Sequence, residues 1–300
     1  MISGNVPNHL IVGARTGFLT SLSSVGANMP WQRVAMQVPM TAKSLDLVDL
    51  GGAPMPTDSA TGATLQDFIE KVKTVKPIDW NITVSLSYNA MNDDQTGNLE
   101  RRVRAAGLNF QKHINKRVFQ TLNGGDGSTY GLCYDGQNMI SASHADKGAA
   151  YNTAQSNLNA LALGIDNFET VWVAANQFVD DQGNYTEYNY DLIVTHPTNA
   201  RAAYQITSVT TDASVTERAE NPWAGKLSYI TSPYMDTTAW HLVASGEPTK
   251  PLFLVMREQP NLQDAWFDPK APDGGRFYFK FFARYNVEYG DWRLDVQGRS

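Results

Sequence analysis

From Phe277 to Tyr289 the chain alternates: Phe277, Phe279, Phe281, Ala283, Tyr285, Val287 and Tyr289 interleave with Lys280, Arg284, Asn286 and Glu288, and Arg276 precedes them. Successive side chains of a strand point to opposite faces, so this spacing describes one strand with an aromatic face and a polar face. Only Tyr278 and Phe282 break the polar side. A strand this long is not stable alone; its edges need partners and its aromatic face needs a cover. The chain must therefore build a sheet and lay something long and apolar across it.

A candidate cover lies upstream. From about Gly97 to Leu122, the residues Leu99, Val103, Ala106, Phe110, Ile114, Val118 and Leu122 recur at three- and four-residue steps, and Asn123-Gly124-Gly125 supplies a stop. The spacing predicts a helix about 39 Å long. Its other face carries Arg101, Arg104, Lys112 and Lys116, which reads either as a solvated face or as a partner for an acidic patch on a neighbour.

Shorter signals fill in the class. Ile82, Val84, Leu86 and Tyr88 alternate with Thr83, Ser85 and Ser87 as a half-buried strand, with Asp93-Asp94 after it. Val34–Val38 reads as a strand and Thr64–Val72 as a short helix presenting Leu65, Phe68, Ile69 and Val72. A second helix is expected over Asn167–Val179, ended by Asp180-Asp181-Gln182-Gly183-Asn184. Tyr190–Thr195 reads as a buried strand, and His196-Pro197 opens another short helix. The class is α+β with mainly antiparallel sheet.

The first 32 residues are rich in Ser, Gly and Asn and show no sustained period, so they read as an arm without a private core. Phe18, Leu19, Leu22 and Trp31 then need covering, by their own domain or by a neighbouring subunit. The stretch Leu50–Ala63 is built of small and breaker residues, at a length where a structureless loop is either functional or disordered.

Net charge and cysteine count exclude several functions. A net charge of −6 argues against a tight nucleic-acid binder, because that affinity comes from neutralising phosphates; a surface lying near DNA stays open. Cys133 is the single cysteine, which removes intrachain disulfides and Cys-rich metal sites. There is no signal peptide and no run long enough to span a membrane, so a cytoplasmic location is the plain expectation. Ser143-His144-Ala145-Asp146 is the one cluster that resembles a catalytic group, but sequence neighbours rarely converge and no Gly-x-Ser-x-Gly elbow supports it. His9, His113, His144, His196 and His241 are scattered without zinc spacing, and Gly124-Gly125-Asp126-Gly127 follows a helix rather than a strand. No catalytic residue, cofactor or metal is expected.

Two stretches then suggest a family. Cys133-Tyr134-Asp135-Gly136-Gln137-Asn138, followed by Ser143-His144, resembles the "YDG…H" segment of Mu-like phage major head subunits. Trp31 with Ala35-Met36, the Gly/Pro-rich loop, the Ile82–Tyr88 strand and Asp93-Asp94 occur in the same order as in that family. So does Asp191–Pro197, and Asn221-Pro222-Trp223, Ser232-Pro233-Tyr234 and Ala239–Leu242 also look like capsid-subunit segments. The resemblance implies an HK97-type fold. On it, residues 1–32 are the N-terminal arm, 33–80 the E-loop region (with the loop itself near Ala42–Ala63), and 81–189 a peripheral domain whose spine helix is 97–122. Residues 190–255 form the axial domain, and 256–300 return to the peripheral sheet.

The function implied is a major capsid protein assembling as hexamers and pentamers into the icosahedral head of a tailed phage. It would be made in the host cytoplasm and held in the virion, near packaged DNA without sequence-specific binding and without membrane contact. Phe18, Trp31, Lys43, Met55, Arg101, Arg104, Lys112 and Trp223 are the candidate intersubunit contacts. With no charge-rich leader before the arm, either a separate scaffolding protein beside a portal or a mature chain start is expected, and no covalent crosslink is expected at Lys43. The alternatives are an encapsulin-like compartment and a soluble hydrolase using His144 and Asp146.

Overall fold

The computed structural model describes residues 8–26, 29–49, 71–89, 98–145, 153–210, 220–272 and 274–300. In chain order these form α1 (Asn8–Gly26), β1 (Ala35–Pro39), β2 (Leu45–Asp49), β3 (Lys71–Val75), β4 (Ile78–Ser87), α2 (Asn98–Asn123), β5 (Leu158–Asn159) and α3 (Ile165–Ala175). There follow β6 (Leu192–Thr195), α4 (Ala200–Ser208), β7 (Ser228–Thr231), β8 (Ala239–Val243), β9 (Leu252–Asp268), β10 (Arg276–Tyr289) and β11 (Asp295–Arg299).

The alternating run is β10, and its burial alternates with it: every residue of the aromatic face is buried and every residue between is half-buried. It lies inside a sheet ordered β1-β9-β10-β4, antiparallel to both β9 and β4. Gln259 and Pro260 together face the single residue Ala283, a bulge that accommodates a proline with no N–H to give the ladder. Beyond Met256, β9 has left β1 behind, so residues 257–268 are hydrogen-bonded on one side only among the described strands.

The 26-residue α2 crosses the aromatic face with Val103, Phe110, Ile114, Val118 and Leu122 buried. Tyr289 Oη donates to the Thr121 carbonyl at 2.9 Å, and Trp80 Nε1 to the Tyr285 carbonyl at 3.1 Å. His113 sits against Trp80 (ring centroids 4.4 Å apart), with Nδ1 2.6 Å from the Tyr285 hydroxyl. Burial first, then Arg117 and Lys116, holds the His113 pKa below its ordinary 6.5. The unfolded chain therefore takes up this proton more readily than the folded one. The neutral ring's contribution is complete above about pH 6.5 and is lost as pH falls through the lowered folded value. We expect the melting midpoint to drop more between about pH 7 and about pH 5 in the wild type than in His113→Gln; parallel pH profiles would contradict this.

The N-terminal arm departs from expectation. Asn8–Gly26 is a helix, and it folds onto its own subunit. Ala14, Phe18 and Ser21 are buried, and Phe18 stacks on Phe281 (4.2 Å, 11°) and meets Phe110 edge-on (5.9 Å, 84°). Gly107 permits the approach, since a Cβ there would lie 2.8 Å from the Phe18 carbonyl oxygen. The Gly and Ser residues that hide the period are weak helix formers, and tertiary packing overrides that weakness. Trp31, in the 3-10 turn Pro30–Arg33, is also buried within its own chain.

The helix expected over Thr64–Val72 is also corrected at its end: Val72 belongs to strand β3, paired with Val48, while residues 64–70 lie outside the described residues, as do Asp93-Asp94. β2 and β3 form a separate two-stranded sheet.

A second sheet is ordered β5-β11-β8-β6-β7. Here the sheet memberships depart from the boundaries at 189/190 and 255/256. The last strand, β11, pairs with β8 and not with the long sheet, and β5 pairs with β11. Helix α3 also lies on this second sheet, Phe168 packing against Trp240 (6.4 Å). The sequence Asp295-Val296-Gln297-Gly298 shows no alternation because it is buried on both faces. Its polar members meet inside: Asp295 Oδ1 lies 3.0 Å from His241 Nδ1 and Gln297 Nε2 3.2 Å from His241 Nε2, while Gln297 Oε1 is buried without a hydrogen-bond partner among the described residues.

Candidate assembly surface

Four of the residues that prompted the family resemblance, Cys133, Tyr134, Asp135 and His144, turn their side chains inward. After α2 the chain turns at Cys133–Gly136, where Gly136 N donates to the Cys133 carbonyl and Gly136 has φ +81°, a value that favours glycine. The turn points Asp135 at His144, with Oδ2 2.6 Å from Nδ1 and both side chains buried. His144 Nε2 lies 3.2 Å from Asn157 Oδ1, and the ring stacks on Trp292 (4.2 Å, 4°). Asn157 holds the rest: its Nδ2 donates to the carbonyls of Met139, Asp295 and Trp292, and its Oδ1 accepts from Ser141 N. Tyr134 Oη accepts from Arg293 Nη1 at 2.7 Å, and Cys133 Sγ–H donates to the Gly290 carbonyl. Burial pushes the Cys133 thiol pKa well up, which keeps it protonated and unreactive.

The cluster is thus a clamp between the segment after α2 and the connection from β10 to β11. His144 is 1% exposed, with both ring nitrogens partnered, and its sequence neighbour Asp146 lies outside the described residues. Asn157, Trp292 and Arg293 were not singled out from sequence. A lone Asn carries no pattern, and the partners of these residues come from more than a hundred positions away.

What faces outward is different in kind. The β2–β3 hairpin is tied to the body by a small cluster in which Met40, Val75 and Val255 are buried, with Leu45, Leu47 and Phe253 around them. Those residues sit at one end of the hairpin; at the other, Asp49 pairs with Lys71, and Val72 is 55% exposed. Lys43 is exposed just before β2, and Met55 lies outside the described residues. Arg101, Arg104 and Lys112 are exposed on α2. Trp223 is half-buried, packed against Phe168 (5.2 Å) and Trp172 (4.8 Å), with Nε1 donating to Glu169 Oε1 at 2.9 Å. Of the expected contact residues, Phe18 and Trp31 are therefore removed from the surface by their own chain. The outward ones do not form one patch: they divide among the hairpin base, the α2 face and the second sheet.

The back of the long sheet is polar and half-buried along β10. Tyr278 stacks on Trp266 (5.0 Å, 11°), and Arg284 Nε donates to Asp79 Oδ1 at 2.6 Å across strands. Lys280 lies opposite Asp264 and Arg276 opposite Asp268. Charge pairs of this kind protect a sheet face and its edges from indiscriminate pairing.

A family model described as phage capsid protein matches residues 70–293. No curated protein matches the chain by sequence. Among solved structures, the chain is similar to the procapsid subunit of bacteriophage JBD30, with a TM-score of 0.54 and 18% identity, over 98% of this chain and 76% of that one. It is similar to the virus-like particle from Pyrococcus furiosus at TM-score 0.54 and 10% identity, over 96% and 98% of the two chains. The holo-SrpI encapsulin of Synechococcus elongatus PCC 7942 gives TM-score 0.54 and 10% identity, over 92% and 89%. At these identities the likeness is one of fold.

Proposed function

This chain belongs to the phage capsid protein family, and from that premise we propose that it forms hexamers and pentamers that close into the icosahedral head of a tailed phage. It is a major capsid protein with the HK97-type fold, a structural component of the virion. In the proposal, α2 is the spine helix, the β2–β3 hairpin with residues 50–70 is the E-loop, and the second sheet is the core of the axial domain. A separate scaffolding protein and a portal take part in assembly in the host cytoplasm, and packaged DNA lies nearby without sequence-specific contact.

One observation carries the reading: among the described residues β2 and β3 pair only with each other, and the apolar cluster that holds them lies at their base, with Val72 beyond it 55% exposed. Such a hairpin gains its cover from another copy. Heterologous contacts of this sort close into rings, and many modest contacts per subunit add up to a stable shell. Replacing residues 50–70 by a short Gly-containing turn tests this. The subunit should unfold at the wild-type denaturant midpoint while shell yield falls to background; normal shell yield would overturn the hairpin's role.

The encapsulin-like alternative rests on the similarity to the encapsulin and virus-like-particle folds. The contents of purified particles separate the two, nucleic acid supporting a phage head and a cargo enzyme supporting a compartment; so do portal and terminase genes beside this one. The hydrolase reading requires His144 as a base, whereas the clamp reading gives it a structural role. His144→Ala should accordingly reduce stability and leave no hydrolytic activity to lose.

A further inference from the structure

We propose that the exposed face of α2, with Arg15 of α1 beside it, is turned to the shell interior and holds duplex DNA through its phosphates. This rests on the shell reading above and names the surface and partner that reading leaves open.

Charge in this protein is segregated. Helices α1 and α2 together carry seven basic residues and one acid, in a chain of 24 basic and 30 acidic residues, leaving 17 basic against 29 acidic elsewhere. Of the seven, Lys116 lies over the Tyr234 ring (5.8 Å) and Arg117 over the Tyr130 ring (4.9 Å). Arg102 donates to the Ser85 carbonyl, and Arg15, Arg101, Arg104 and Lys112 are exposed. At 100° per residue, Arg101, Arg104 and Lys112 fall on one stripe of α2, and Arg101 to Lys112 spans about 16 Å along the axis. The two helices run in the same direction, because Leu22 accepts from Gln111 while Phe18 meets Gly107 and Phe110, which brings Arg15 level with Arg104.

A neighbouring subunit, the other candidate, offers acids at scattered positions, 29 against 17 bases outside these helices, and several of the described ones are paired at home. Asp79 pairs with Arg284, Glu288 with Lys73, Asp191 with Arg33, and Asp126 and Asp236 with Arg299. Duplex DNA, by contrast, offers one negative charge per about 1.7 Å of its axis, so a 16 Å stripe faces about nine or ten of them. Binding of this kind reads no sequence. Its weakness in one copy agrees with the net charge of −6, and repetition over a shell makes it count.

The test is lysine acetylation of DNA-filled and DNA-emptied particles by a small permeant reagent, read by peptide mass. Lys112 should react several-fold less in filled particles and recover as salt is raised, while the exposed Lys226 and Lys270 react alike in both. Equal reactivity of Lys112 in filled and empty particles overturns the proposal. So does low reactivity in both, which would place the stripe against another subunit. If the chain forms no particles, the shell reading fails instead, and the free subunit then decides the stripe. Its binding to a mixed-sequence DNA duplex should lose about 2.7 from the salt slope in the R101Q/R104Q/K112Q variant, at about 0.9 per phosphate contact. An unchanged slope there overturns it.

Discussion

Phe281→Ala should lower the unfolding free energy of the unassembled subunit by about 3–5 kcal/mol, read as a shift in the urea midpoint. Phe281 is 0% exposed in β10, and its ring stacks on Phe18 at 4.2 Å. Removing it opens a cavity in the sheet face and strips α1 of its stacked anchor, leaving Phe18 the edge contact with Phe110 as its remaining ring pair among the described residues. The neighbours cannot collapse into the gap freely, held as they are by the β10 ladders on both sides. Phe281→Leu, which keeps much of the volume, should cost less. Combining Phe18→Ala with Phe281→Ala should fall short of the sum of the two by about 0.5–1.5 kcal/mol, the worth of a stacked pair beyond its area. A loss under about 1 kcal/mol for Phe281→Ala would mean that α1 is not docked on the sheet in solution.

Asn157→Ala should cost a similar amount, about 3–5 kcal/mol, although it removes only a small polar group. The side chain is fully buried; its two Nδ2 hydrogens are shared among three carbonyls, and its Oδ1 accepts from Ser141 N and lies 3.2 Å from His144 Nε2. Cutting it to a methyl leaves buried carbonyls and an N–H without that partner, each costing about 1–3 kcal/mol where no water or other group replaces it. Asn157→Asp should be no better than alanine, since a carboxylate cannot donate to the carbonyls of Met139, Trp292 and Asp295. If Asn157→Asp unfolded at the wild-type midpoint, the clamp would not depend on this side chain.

The parts of this fold that could be read from sequence are those whose burial is one-sided. β10 and α2 each bury one face fully and leave the other half-buried or exposed, so their periods of two and about 3.6 residues are written into the chain. β11 is buried on both faces and α1 is built on Gly and Ser, and neither shows a period. Their positions are set by partners distant in sequence, β8 for one and the Gly107 side of α2 for the other. The same distinction divides the candidate contacts. Arg101, Arg104 and Lys112 are polar residues on the polar side of an evident helix and are exposed, whereas Phe18 and Trp31 looked uncovered only because the helix and turn that bury them were not evident. The Tyr134-Asp135-Gly136 and His144 motif was visible as a family likeness, but its chemistry was not: the acid that faces His144 is Asp135, across a turn, and the residue that completes the clamp is Asn157.

Negative-stain electron microscopy of the purified full chain, with light scattering for mass, tests the shell-forming role most directly. Closed shells, tubes or rings of five and six are predicted, either alone or once a scaffold is supplied. A stable monomer of 33.1 kDa at high concentration, unchanged by any candidate scaffold, would contradict it.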